Sequence, residues 1–190
     1  MPGSADPAGR VRVCIRPRPA TEQESKNGTC LSIEQNSITV KKEQYQAAAN
    51  KSFLFDAIFQ PNASQADIYE SVGKPVVNDV LEGFNGTILA YGQTGTGKTY
   101  SLGNFDPSNY GIIPRALTHI FEQVREDKEY NITVSLTYLQ LYMEVLYDLL
   151  FPDTTGITIR EDPDHGVFVQ NASRVTIKSA EDCLLLIGSR

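Results

Sequence analysis

This chain contains little cysteine and histidine, the residues that form disulfides and bind zinc. Its 190 residues include 3 cysteines and 2 histidines. Cys14, Cys30 and Cys183 are odd in number and lie far apart without the spacing of metal ligands, so free thiols in a reducing compartment are expected. His119 and His165 are isolated in the sequence, and neither indicates a metal site or a catalytic base.

Long apolar runs and an excess of positive charge are also missing. No segment approaches about 18 uninterrupted apolar residues, so the sequence predicts no membrane span. Residues 1–10 are rich in proline, glycine and alanine and lack an apolar stretch, which predicts a disordered leader rather than a secretory signal. The net charge of −6 argues against a nucleic-acid surface. An apolar content of 41% is still sufficient for a buried core.

One motif dominates what is present, a glycine-rich stretch that ends in lysine and threonine. In the phosphate-binding pattern, two glycines enclose four free positions, and lysine and a hydroxyl residue follow. Glycine permits a tight backbone whose N–H groups surround an anion, lysine adds a positive charge, and the hydroxyl can ligate Mg²⁺. A Gly/Thr-rich turn that matches by accident is the alternative. The candidate residues, called the phosphate loop below, are Gly92, Gln93, Thr94, Gly95, Thr96, Gly97, Lys98 and Thr99, with Thr99 as the Mg²⁺ ligand.

The pattern of apolar residues predicts an α/β fold in which strands alternate with helices. Residues 87–91 form a short apolar run, which predicts a buried strand entering the phosphate loop, and a helix should begin near Gly97. Pro75 interrupts an apolar helical pattern that starts after Ser64, so a kink is expected near Gly73. Further strands are predicted at 11–15, 31–33, 38–40, 53–59, 132–138, 157–160, 167–169 and 174–177, and further helices start at Pro114 and after Ser179.

Five segments, in order, resemble the kinesin motor domain: residues 11–19, 53–59, 85–99, 111–116 and 138–150. The resemblance extends over residues 11–190 and implies a P-loop NTPase fold, a mixed sheet flanked by helices, with ATP and Mg²⁺ as ligands. In that family the Arg-x-Arg-Pro segment lies against the adenine and ribose, which implies nucleotide contacts for Arg16, Arg18 and Pro19. Tyr100 is a further candidate, since the family often has an aromatic residue or histidine near the base there. The alternative is that the prolines only end an edge strand and the arginines are solvated.

The resemblance also implies a partner and a location. An intact kinesin head binds microtubules, so the cytoplasm and its cytoskeleton are expected, with no nucleic-acid or membrane partner. Any homodimer would form through a stalk outside these residues. The predicted hairpin at residues 157–170 corresponds to a track contact, but here it is acidic, and the microtubule is acidic too. Residues 139–144, Leu-Gln-Leu-Tyr-Met-Glu, look more like the armadillo-repeat kinesins.

Two switch motifs of the family, Asn-x-x-Ser-Ser-Arg-Ser-His and Asp-Leu-Ala-Gly-Ser-Glu, occur nowhere in these residues. Because the switches sense the γ-phosphate and place the attacking water, we expect an incomplete head, the N-terminal part of the motor, with little hydrolysis and no catalytic residue of its own. Residues 87–91 would then have unpaired edges, which predicts marginal stability or aggregation.

Two other functions stay open at this point. One is a catalytically inert nucleotide-binding or interaction module. The other is an unrelated P-loop ATPase or GTPase, although the guanine-reading Asn/Thr-Lys-x-Asp motif does not occur in the sequence.

Overall fold

The computed structural model describes residues 11–26, 28, 30–41, 50–163 and 166–188. The predicted leader, residues 1–10, and His165 lie outside the described residues. The chain divides into two units, Met1–Ala116 and Leu117–Arg190, and each unit is described by itself. Across the described ranges, no helix has both the length and the apolar character needed to span a membrane.

Short strands begin the first unit. β1 (Cys14–Ile15) is followed by the helix α1 (Glu22–Lys26), a segment that sequence patterns did not predict as helical. β2 (Leu31–Glu34) and β3 (Ser37–Val40) correspond to the strands predicted at 31–33 and 38–40. They pair antiparallel, and β4 (Lys51–Leu54) pairs with β3. β5 (Ala57–Ile58) pairs in parallel with β1.

The strand predicted over residues 53–59 is divided because the chain changes partner. The N–H of Phe55 still donates to the Asn36 carbonyl in the hairpin, at 2.9 Å. One residue later, the N–H of Asp56 donates to the Val13 carbonyl at 3.0 Å, and the Asp56 Oδ2 accepts from the N–H of Val13 at 2.7 Å. The prediction of a single strand was therefore wrong, because its two ends belong to different sheets.

A three-part helix follows, whose cap agrees with the sequence pattern and whose π-helical turn lies where a kink was expected. Ser64 caps α2 (Gln65–Ile68) in a reciprocal capping box with Asp67. A π-helical turn (Tyr69–Gly73) then leads into α3 (Lys74–Leu81), and Pro75 lies in the first turn of α3. The irregular turn is thus where proline removes a backbone donor.

Two helices come next and are separated by a loop. α4 (Lys98–Gly103) begins directly after Gly97, as predicted, and α5 (Ile112–Glu126) follows a loop. Pro114 is the third residue of α5, not the first, and its side chain is fully buried. Ile68, Tyr69 and Ile112 form a buried apolar cluster, against which Ile88 and Leu102 also pack.

Residues 87–91 correct a second prediction. They form no strand ladder with any part of the chain that the structure describes, and they are not buried. Leu89 is 86% exposed and Tyr91 is 100% exposed, whereas Ile88 and Ala90 are half-buried. The apolar run was correctly recognised, but a strand also needs a hydrogen-bonded neighbour, and none of the described strands takes that place.

The second unit consists mainly of hairpins. β6 (Val134–Leu136) pairs antiparallel with β11 (Val175–Ile177), and β7 (Leu139–Tyr142) pairs with β8 (Val145–Asp148). β9 (Thr158–Asp162) and β10 (Gly166–Gln170) form the predicted hairpin. The chain then enters α6 (Ala180–Gly188), whose Asp182 N–H donates to the Ser179 hydroxyl at 3.1 Å, as the cap pattern predicts.

Candidate nucleotide-binding site

The phosphate loop has a backbone that depends on glycine. Gly95 has φ of +85°, and Gly97 has φ of +94° immediately before α4. Both values lie in the left-handed region, which glycine enters without the steric cost of a side chain. At Gly92, where φ is +155°, an added Cβ would lie 2.5 Å from the Thr96 Oγ1. The loop is therefore folded tightly onto itself, as a cradle of N–H groups requires.

Hydrogen bonds within the loop maintain this curvature. The Thr96 N–H and hydroxyl both donate to the Gln93 carbonyl, at 3.3 Å and 2.8 Å. The Ser101 N–H donates to the Gly97 carbonyl at 2.9 Å, which starts the regular hydrogen bonding of α4. The loop and the first turn of the helix thus form one continuous piece of backbone.

Lys98 reaches back across the loop. Its Nζ donates to the carbonyl of Gly92 at 2.7 Å and to that of Gln93 at 2.9 Å. The ammonium group of this half-buried residue is therefore held by two neutral acceptors of the loop itself. A phosphate oxygen is a stronger acceptor for an ammonium donor than a neutral carbonyl, so these two bonds can be exchanged for contacts to an anion.

Thr99 fits the role of a magnesium ligand in its chemistry. It follows Lys98 in the first turn of α4, and its side chain is exposed. A hydroxyl oxygen is a hard donor of the kind that Mg²⁺ prefers, and the open side leaves room for the water molecules that Mg²⁺ retains. The assignment of Thr99 to the metal stays a prediction.

Arg16 and Tyr100 lie together beside the loop. The Arg16 guanidinium carbon is 5.1 Å from the centroid of the Tyr100 ring, within cation–π range. The Arg16 Nη1 donates to the Gln65 Oε1 at 2.6 Å and to the Ser101 Oγ at 3.0 Å, and its Nη2 donates to the Ala63 carbonyl at 3.3 Å. Burial lowers the pKa of Arg16, and Tyr100 opposes that shift.

Arg18 and Pro19 have different surroundings. Both guanidinium Nη atoms of Arg18 donate to the Glu24 carboxylate, at 2.8 Å and 2.6 Å, and the Pro19 carbonyl accepts a further bond from Arg18. The hydrogen bonding from Arg18 is the main cause that lowers the pKa of Glu24 to about 2. Both Arg18 and Pro19 are exposed. Their contact with a nucleotide stays a prediction, and for Arg18 it would compete with the pair to Glu24.

Sequence patterns did not identify Gln65 and Ser101, the two side chains that accept hydrogen bonds from Arg16. Gln65 was recognised only as the residue after a helix cap, yet it is buried and bonded to Arg16. Ser101 was treated as part of a helix. No local pattern marks either side chain, because their roles arise from contacts with residues 35 to 85 positions away in the chain.

A cavity of about 750 Å³ borders the phosphate loop. Gly92, Thr96 and Lys98 line one end of it. Most of its remaining wall is apolar and includes Ile15 of β1 and Ile88 before the loop. The phosphate loop therefore borders a largely apolar cavity.

Comparisons with known proteins agree on one family. Residues 14–189 match a family model described as the kinesin motor domain. The chain is 42% identical to the kinesin-like protein KIN-UA of Oryza sativa subsp. japonica over 183 residues, 91% of this chain and 19% of that protein. It is 37% identical to the kinesin-like protein klp-20 of Caenorhabditis elegans, over 96% of this chain and 30% of that protein.

A solved structure shares the fold. It is that of a fast kinesin, with a TM-score of 0.85 and 31% sequence identity. The match covers 94% of this chain and 51% of the solved chain. The chain thus spans about half of that structure and less than a third of the length of the two curated relatives.

Proposed function

This chain belongs to the kinesin motor domain family, and from that premise we propose that it is the ATP-binding part of a microtubule motor. In the intact head, ATP hydrolysis would be coupled to movement along microtubules. Residues 1–190 contain neither switch motif of the family, so we expect this chain alone to bind nucleotide and to hydrolyse it poorly.

One observation carries the proposal: the geometry of the phosphate loop. The left-handed Gly95 and Gly97 give the backbone its curvature, and the Lys98 ammonium group lies across its open side. The β- and γ-phosphates of ATP would replace the two carbonyls that Lys98 now contacts. The magnesium ion neutralises phosphate charge when it is bound, and the Thr99 hydroxyl is the group of this chain that would ligate it.

The base would lie toward Arg16 and Tyr100. Their position beside the first turn of α4 supports this part of the proposal, because Tyr100 is the next residue after the phosphate loop. An aromatic ring beside a guanidinium group offers a base a flat surface and a cation at once. Arg18 and Pro19 would approach the ribose only if Arg18 left Glu24.

The finer assignments rest on sequence alone. We propose microtubules as the partner of the intact head, the cytoskeleton as its location, and the armadillo-repeat kinesins as the subfamily, on the segment at residues 139–144. The relative KIN-UA and the chromosome-associated kinesin KIF4 of Mus musculus both resemble this chain, at 42% and 35% identity, so similarity by itself does not select a subfamily.

Calorimetric titration of Mg·ATP into the 190-residue chain tests the proposal. We expect saturable binding that Lys98→Ala weakens by about 100-fold or more, because the variant loses the charge that faces the phosphates. Lys74→Ala is the matched control. Lys74 is also a lysine at the start of a helix, but its Nζ pairs with Glu70 at 2.7 Å.

Equal binding by the wild type, Lys98→Ala and Lys74→Ala would contradict the proposal, since the phosphate loop would then not be the site. Absence of binding to a folded wild-type chain would contradict it as well. A phosphate-release assay on the same samples, with and without microtubules, separates binding from hydrolysis.

A further inference from the structure

Gln65 has a buried polar side chain, and none of the nucleotide contacts proposed above involves it. It is the first residue of α2 and is 2% exposed. A buried amide is tolerated when its donor and acceptor groups are both used. The Gln65 Oε1 accepts from the Arg16 Nη1 at 2.6 Å, and its Nε2 donates to the main-chain carbonyl of Tyr100 at 2.7 Å.

These two bonds join segments that are distant in sequence. Arg16 directly follows β1, and Tyr100 is the third residue of α4. Gln65 contacts both of them, and both also contact each other through the cation–π pair at 5.1 Å. Ser101 adds a further bond to Arg16 at 3.0 Å. The amide therefore links the Arg16 guanidinium group to the main chain of the residue that carries the ring.

The Tyr100 side chain has a hydrogen bond of its own, at the hydroxyl end of the ring. The Asn109 Nδ2 donates to the Tyr100 hydroxyl oxygen at 2.8 Å. The residue is nevertheless 47% exposed, so part of it remains open to solvent. A residue whose main-chain carbonyl and ring hydroxyl are both bonded before binding loses little conformational freedom when a base stacks on its ring.

We propose that Gln65 is a positioning residue that preforms a base-binding surface made of Arg16 and Tyr100. The inference rests on the proposed function, in which the phosphate loop holds the triphosphate and the base points toward Tyr100. The amide suits the place because it accepts from a guanidinium group and donates to a carbonyl at the same time. Glutamate has the same length, but it would place a carboxylate oxygen against the Tyr100 carbonyl, so that two acceptors would face each other.

The test compares two ligands, Mg·ATP and Mg·tripolyphosphate, by calorimetry on the 190-residue chain. Tripolyphosphate carries the phosphates and no base. Gln65→Met keeps the length of the side chain and removes both hydrogen bonds. We expect Gln65→Met to weaken ATP binding by about 5- to 20-fold and to leave tripolyphosphate binding within about 2-fold of the wild type.

A second comparison uses the ring itself. Tyr100→Ala removes the aromatic surface but keeps the main-chain carbonyl that Gln65 contacts. In that background, Gln65→Met should weaken ATP binding no further, because there is no longer a surface to position. If Gln65→Met does not fold, as judged by circular dichroism, Gln65→Glu serves in its place, with ATP binding expected to fall and tripolyphosphate binding expected to hold.

Three results would overturn the inference. Gln65→Met could weaken the binding of both ligands equally, it could leave ATP binding unchanged, or it could weaken ATP binding further when it is added to Tyr100→Ala. Equal loss would mean that Gln65 only supports the fold around the loop. A wild-type chain that binds neither ligand would refute the proposed function and this inference with it. A wild-type chain that binds both ligands equally tightly would refute only the inference, because the base would then contribute nothing.

Discussion

At the residue scale, Asp148 shows how one buried carboxylate connects two parts of the second unit. It ends β8 and is 1% exposed. Its Oδ1 accepts from the N–H groups of Leu150 and Phe151 at 2.9 Å and 3.0 Å, and its Oδ2 accepts from that of Ser173 at 2.8 Å. Burial raises the pKa of Asp148, but these hydrogen bonds together lower it below its usual value.

Replacing Asp148 with alanine should therefore destabilise the chain. Three backbone donors would lose their carboxylate, so we expect Asp148→Ala to lower the free energy of unfolding by about 2–4 kcal/mol, as measured by urea denaturation. The control is Asp153→Ala, a change at an exposed aspartate nearby, for which a change below about 0.5 kcal/mol is expected.

The effect of Asp148 also depends on pH in a defined direction. Because its folded pKa is lowered, the stabilisation is complete above the unfolded pKa, near pH 4, and is lost as the pH falls through the folded value. The difference in unfolding free energy between the wild type and Asp148→Ala should be constant from about pH 7 to pH 5 and shrink below about pH 4. A difference that grows on acidification would contradict this account.

At the scale of elements, Pro75 explains a bond between the start of the chain and the three-part helix. Proline has no N–H to donate to the carbonyl four residues earlier, which is that of Ser71. The Arg12 Nη1 donates to this carbonyl instead, at 2.7 Å. A side chain from before β1 thus donates to a carbonyl for which Pro75 has no N–H.

Arg12→Ala and Pro75→Ala should therefore not be additive. In the wild type, Arg12→Ala removes the partner of the Ser71 carbonyl and should cost about 1 kcal/mol of unfolding free energy. In the Pro75→Ala background, the substituted residue has an N–H that can donate to that carbonyl, so the loss should be smaller. Urea denaturation of the four proteins measures the coupling, and fully additive losses would contradict the explanation.

Elements whose signals are local were predictable from the sequence. The cap at Ser64, the helix start after Gly97, the β2–β3 and β9–β10 hairpins and the cap at Ser179 each depend on a few neighbouring residues. The tight turn at residues 92–97 belongs to the same class, since its glycines are close in sequence, whereas phosphate binding there stays a prediction. Local chemistry was sufficient in these places.

Features that depend on distant partners were not predictable. The strand expected at 53–59 divides because two successive N–H groups of this stretch donate to residues beside different strands, the first to the carbonyl of Asn36 and the second to the carbonyl of Val13. Residues 87–91 have a strand-like composition but lie beside no described strand. Gln65 resembles an ordinary first-turn residue, and its role appears only once Arg16 and Tyr100 are brought to it. Each of these features depends on contacts, made or missing, between residues that are far apart in the sequence.

At the scale of the whole molecule, the exposed stretch before the phosphate loop is where we expect copies of the chain to associate. Leu89 and Tyr91 are strongly exposed in a segment whose backbone joins no described sheet. Such an apolar edge favours pairing with another copy of the chain. We therefore expect the 190-residue chain to aggregate as its concentration rises, despite its net charge of −6.

Leu89→Lys should reduce this aggregation, because a charge on an open edge opposes edge-to-edge pairing. Sedimentation velocity across a concentration series measures the fraction of monomer. The matched control is Leu185→Lys. Leu185 is also strongly exposed, at 73%, but it lies in the helix α6 and not at a strand edge. Equal improvement by both variants would show that general apolar exposure, not the edge at 87–91, causes the association.

The most direct test of the central claim is hydrogen–deuterium exchange with and without Mg·ATP. If the backbone N–H groups of residues 92–99 surround the phosphates, exchange in the peptide that covers them should slow in the presence of the nucleotide. The peptide that covers the β9–β10 hairpin should be unchanged, and Lys98→Ala should abolish the protection of the loop. Protection confined to other segments, with unchanged exchange at residues 92–99, would contradict the assignment of the phosphate loop as the nucleotide site.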